Sequence, residues 1–114
     1  MTAHPPEGLK PYKRTATFTE TTVPAALLSD HSTKRGVWGL IHVEAGTLRY
    51  LVTDPRRAPT ERILAPESEP AIVEPTILHR VEPIGAVQFH VEFLHARSQA
   101  NPIEAMDNDE ARSS

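Results

Sequence analysis

Prolines are spread so widely through this chain that few stretches can hold a long helix. There are eleven prolines and five glycines among 114 residues. Each proline removes an amide donor and crowds the preceding turn. Between these breaks the apolar residues recur with period two, the spacing of a strand with one buried face.

Tyr12 to Phe18 reads as a first strand, with Thr15 and Thr17 suited to a pleated surface. Val23 to Leu28 fits either a strand or one helical turn, and Ser29 to Arg35 is a polar loop. Val37 to Glu44 and Thr47 to Thr53 read as a hairpin about a tight turn at Ala45-Gly46. In the second arm Leu48, Tyr50 and Val52 alternate with Thr47, Arg49 and Leu51. Asp54 to Thr60 carries Asp-Pro and two arginines and reads as a surface loop. Short strands are expected at Arg62 to Ala65, Ala71 to Val73 and Leu78 to Glu82. After a turn at Pro83-Ile84-Gly85, Ala86 to His95 is the longest strand. Roughly eight short strands separated by frequent turns predict an all-β sandwich or barrel. The organisation expected is an N-terminal arm over 1–10, one domain over 11–96 and a disordered polar tail over 97–114.

The remaining composition narrows the function. The net charge is −3 and the basic clusters are short, which argues against nucleic acid. There is no cysteine, so no disulfide, thiolate metal site or cysteine nucleophile is available. With no apolar leader and no bilayer-length apolar run, the expectation is a cytoplasmic protein with no membrane partner. There is no glycine-rich phosphate loop and no nucleophile elbow.

Histidines and carboxylates remain as the chemistry-bearing residues. Neutral imidazole is a common metal ligand, and carboxylates suit the same divalent ions. His79 follows Ile77-Leu78 and precedes Val81, so it is expected to face an interior, where it needs partners. His31 stands in a polar loop between Asp30 and Ser32, either a ligand or an ordinary loop residue. His90 and Glu92 share one face of the last strand, opposite Phe89, Val91 and Phe93. His42 and His95 read as ordinary strand histidines, and Trp38 as a core or interface residue.

Several stretches together resemble a known pattern: His31-Ser32-Thr33-Lys34, Gly36-Val37-Trp38-Gly39 and Val43-Glu44-Ala45-Gly46-Thr47-Leu48-Arg49-Tyr50. To these are added Glu74-Pro75, His79-Arg80-Val81-Glu82-Pro83 with Gly85, and Phe89-His90-Val91-Glu92-Phe93. The chain is similar, from about Pro11 to Phe93, to the TehB/YeaR-like domain family, which is related to tellurite resistance. The resemblance implies a cupin-like double-stranded β-helix, that is, a jelly-roll barrel. Gly46 matches the glycine that closes the first cupin motif, and His79 the histidine of the second. The paired histidines and glutamate of the first motif are absent, with Gly39 standing where the glutamate is expected.

The resemblance therefore implies a reduced metal site of His31, His79 and Glu92 holding zinc, nickel, iron or manganese. The function expected is a small metal-binding cupin-like protein. The alternatives are a non-catalytic module that binds or senses a small molecule in the barrel cavity, and a metal-dependent cupin oxygenase or isomerase. No cofactor-binding βαβ unit is visible, so methyl transfer is not assigned to this chain. A homodimer is expected, because the Phe89-Val91-Phe93 face and Trp38 with Leu40 exceed what a small barrel buries.

Overall fold

The computed structural model of this chain describes residues 8–96. The first part of the expected arm and the whole of the expected tail 97–114 lie outside the described residues. The elements in chain order are β1 (Leu9–Arg14), β2 (Phe18–Thr19), a 3-10 turn (Ala25–Leu28), β3 (Trp38–Val52), β4 (Thr60–Leu64), β5 (Ala71–Val73) and β6 (His79–Ala96). Val23 to Leu28 thus resolves as a helical turn, entered through Pro24 at φ −61°. Among the described residues no helix is long and apolar enough to cross a membrane.

Two long strands dominate. β3 and β6 run antiparallel from Trp38↔Leu94 to Val52↔His79. β1 and β2 pair with β6, and β4 and β5 pair with β3. The sheet order is β1-β6-β3-β4, so β1 and β4 stand at opposite edges. This overturns the expected cupin-like double-stranded β-helix. A jelly-roll barrel closes on itself, whereas here the strands form one open sheet whose outer strands do not pair. The all-β content stands.

The hairpin expected at Ala45-Gly46 is also corrected. β3 runs straight through those residues, and both of its halves pair with β6. The register shifts between Val43 and Ala45, where Glu44 is the extra residue of a bulge. One extra residue exchanges the two faces of a strand. Before the bulge Gly39 and Ile41 are buried; after it Leu48 and Tyr50 are. Gly46 is needed at this bend. Its φ is +80°, and an added Cβ would lie 2.0 Å from the Ala86 carbonyl oxygen and 2.8 Å from Val87 Cα. Gly46→Ala is expected to cost about 2 kcal/mol in urea unfolding, from the left-handed conformation and the backbone clash together.

The core lies on one side of the sheet. Ile41, Leu48, Tyr50, Leu64, Ala71, Val73, Val81, Val87 and Phe89 form one buried cluster, with Phe18, Val23 and Leu27 packed against it. Phe89, Val91 and Phe93, expected at a subunit contact, all lie on the side of β6 that lines a cavity. Phe89 is already fully buried within the single chain.

Candidate functional site

The loop before β3 and the start of β6 are joined through two histidines. The His31 amide donates to the His79 carbonyl, and the His79 amide donates to the His31 carbonyl, both at 2.9 Å. This reciprocal pair fixes one backbone against the other and brings the two rings to 4.1 Å between centroids. The rings of His79 and Tyr50 are 5.8 Å apart.

A buried carboxylate holds the start of β6 in place. Asp54 is 2% exposed although it lies in a segment that reads as a surface loop. It accepts bonds from the Leu78 amide at 2.9 Å and from the Arg56 amide at 2.7 Å. The Arg56 guanidinium adds bonds to both of its oxygens. Those donors, the guanidinium foremost, hold the Asp54 carboxyl well below the usual range. Thr53 donates its amide to the Leu78 carbonyl at 3.0 Å, and Arg56 also reaches the Thr76 carbonyl. The residue next to this anchor is His79.

His79 is 4% exposed. Its Nδ1 lies 3.0 Å from the Ile77 carbonyl oxygen, and His31 Nδ1 lies 2.9 Å from the Ser29 carbonyl oxygen. A carbonyl only accepts, so each Nδ1 carries the proton and donates it. Burial, with the neighbouring His31 ring second, pushes the His79 pKa down to about 4. His79 is therefore a neutral imidazole at neutral pH.

Both rings line a cavity of about 120 Å³. Phe18, Leu27, Ile41, Val73, Val81 and Phe89 supply much of its apolar wall. Thr15, Ser32 and Thr33 supply the hydroxyls.

Glu92, the third expected site residue, is not with His31 and His79. It lies on the other side of β6, where His42 Nε2 donates to its Oε1 at 3.0 Å. There the sheet builds a second cluster. His42 pairs with His90 across the strands, and their rings stack 4.8 Å apart, 13° from parallel. His90 Nδ1 donates to Glu44, which also accepts from the Thr17 hydroxyl. These bonds, the one from His90 foremost, hold the Glu44 carboxyl below its usual range. His-Val-Glu occurs twice, at His42-Val43-Glu44 and His90-Val91-Glu92. Antiparallel pairing sets the two copies head to tail, so each histidine meets the other copy's glutamate. The repeated tripeptide was the available signal for this cluster, although only pairing shows that the copies meet. Its groups are partly open to water, where ion pairs contribute little. Glu92→Ala is expected to change unfolding stability by less than about 1 kcal/mol and to leave the cavity unaltered.

Comparisons with known proteins bear on these residues directly. The profile of the TehB-like domain matches residues 13–91. A probable S-adenosyl-L-methionine-dependent methyltransferase TehB of Haemophilus influenzae (strain ATCC 51907 / DSM 11121 / KW20 / Rd) is 38% identical over 72 residues, which are 62% of this chain and 25% of that protein. Its counterpart in H. influenzae strain 10810 is 36% identical over the same length. This chain thus spans about a quarter of the curated relatives it matches. The crystal structure of TehB from H. influenzae superposes with a TM-score of 0.76 at 28% identity, covering 90% of this chain and 38% of that one. A protein from E. coli K12 solved by a structural-genomics consortium superposes with a TM-score of 0.73 at 22% identity. That match covers 83% of this chain and 98% of the E. coli chain, and it bears on fold alone.

These findings overturn the metal-binding cupin reading and its divalent cofactor. The relatives are named for dependence on S-adenosylmethionine, not on zinc, nickel, iron or manganese. Among the described residues no three histidine, aspartate or glutamate side chains converge as a metal site requires. The physical reason is the parity of β6. His79 and Glu92 differ in position by an odd number, and this strand's inner face keeps one parity from Val81 to Phe93. The metal-dependent oxygenase or isomerase falls with the metal.

Proposed function

Since this chain belongs to the TehB-like domain family, we propose that it serves S-adenosylmethionine-dependent methyl transfer by binding a small, mainly apolar molecule in the cavity beside His31 and His79. The observation that carries this reading is the cavity itself. Every lining residue except Phe93 lies within the matched stretch, and the wall is apolar except for two imidazoles and three hydroxyl side chains.

The cavity does not suit S-adenosylmethionine. At about 120 Å³ it falls well below the roughly 300–1,000 Å³ of pockets that hold drug-sized molecules. Its lining includes no carboxylate to receive ribose hydroxyls. We therefore assign to this domain the binding of a small molecule, and to the remaining three quarters of the relatives' length the handling of the methyl donor.

A cavity of this size is comparable with apolar protein cavities of roughly 150 Å³ that take up benzene. Toluene is thus a suitable probe. Titrated into the isotope-labelled chain at pH 7.5, it is expected to shift the resonances of Ile41, Val73, Val81 and Phe89 in a saturable way. S-adenosylmethionine is expected to leave them unmoved. Toluene and phenol both without effect on these four residues at their solubility limits would overturn the reading.

A further inference from the structure

We propose that this cavity selects neutral molecules that carry a hydrogen-bond donor, because the two imidazoles in its wall present acceptors and the wall holds no cation. The inference rests on the binding role proposed above and goes beyond it by naming the chemical class of ligand.

The argument begins with the protons on the rings. A neutral imidazole has one N–H and one bare nitrogen. In both His31 and His79 the N–H is at Nδ1, held by the carbonyl two residues earlier. In the neutral form of each ring the lone pair is therefore on Nε2, and neither Nε2 makes a hydrogen bond among the described residues. A lone pair that faces the cavity and bonds nothing in the protein can accept from a ligand's donor, which gains about one neutral hydrogen bond.

The hydroxyls in the wall reinforce this bias. Thr15 donates its hydroxyl hydrogen to the Ala16 carbonyl at 2.8 Å, and its oxygen accepts from the Val91 amide. Thr33 donates to the Val37 carbonyl at 2.7 Å. Both hydroxyl hydrogens are committed, which leaves Ser32 as the lining side chain still able to donate. No lysine or arginine lines the cavity, so an anion would face lone pairs without a counter-charge. The favoured ligand has an apolar body about the size of one ring and at least one O–H or N–H.

The test uses four probes of nearly one size at pH 7.5, where both phenol and the His79 ring are neutral. Phenol can donate, anisole can only accept, toluene does neither and benzoate is an anion. Phenol is expected to bind roughly fivefold to tenfold more tightly than anisole or toluene, the range of one neutral hydrogen bond. Benzoate is expected not to bind. Long-range ¹⁵N–¹H spectra should show both rings in the Nδ1–H form, with at least one Nε2 resonance moving when phenol is added and not with toluene. His31→Phe keeps a ring and removes one lone pair, so it should reduce the preference for phenol if His31 is the acceptor. An Nε2–H form at both rings would overturn the inference. So would toluene binding as tightly as phenol, or phenol binding with neither Nε2 resonance moving. In these cases the binding role survives. If toluene and phenol both fail to bind, the binding role falls, and the inference falls with it.

Discussion

Phe89→Ala is expected to lower the unfolding free energy by about 3–5 kcal/mol, the range for removing a buried phenylalanine ring. The position argues for the upper part of that range. Phe89 is fully buried, its backbone pairs with Phe18 on one side and Val43 on the other, and its ring meets that of Phe18 edge-on at 5.7 Å. It also borders the existing cavity, so the space left by the ring merges with a void instead of collapsing. Domains of this size are commonly stable by only about 5–15 kcal/mol, so the loss is a large share of the whole. Urea unfolding at pH 7.5 measures it. Phe89→Leu should lose about 1.5 kcal/mol or less, because most of the volume is kept. A loss below about 1 kcal/mol for the alanine variant would show that the ring is not part of the core.

Acid is expected to destabilise this chain before its carboxylates titrate, and the group responsible is His79. Burial lowers its pKa in the folded state to about 4, against about 6.5 in an unfolded chain. The His31 ring adds to the depression, while the Ile77 carbonyl and Asp30 oppose it. As pH falls below about 6.5, the unfolded state takes up a proton that the folded state refuses, so stability declines. The decline continues until the folded form is protonated as well, near pH 4. The whole effect is about 3 kcal/mol, of which about 2 kcal/mol appears between pH 7.5 and 5. The buried carboxylate Asp54 acts in a different window. Its pKa is depressed, so the stability it gives is lost only as pH falls below the ordinary carboxylate range. Urea unfolding at pH 7.5, 6 and 5, repeated in His79→Gln, separates the two. The wild-type slope over that interval should largely vanish in the variant. Equal slopes in both proteins would exclude His79 as its source.

Much of the local structure was legible in the residues themselves. Ala71 to Val73 is a strand in both readings, and Leu48, Tyr50 and Val52 do alternate with their neighbours. Burial of His79 follows from the apolar residues that flank it. These features depend on side-chain period and on the nearest neighbours, which a linear pattern contains. The site was legible only in part. His31 and His79 do meet, but Glu92 faces the other side of the sheet with His42. Asp54 was hidden in a loop motif because its local donor, Arg56, suits a surface turn equally well, and the Leu78 amide reaches it only after the β6 start is folded back.

The sequence by itself determined that this chain is a β protein, where its proline-bounded segments lie, and which residues alternate within each strand. Tertiary structure decided that Ala45-Gly46 bends a continuous strand instead of reversing it, that the sheet stays open, and that the two His-Val-Glu copies pair head to tail. The reason is physical. A glycine at positive φ serves a turn and a bulge equally well, and strand propensity is indifferent to the partner. Only when β3 and β6 bury their shared apolar face does one register win, and that register assigns each histidine and glutamate to its side of the sheet.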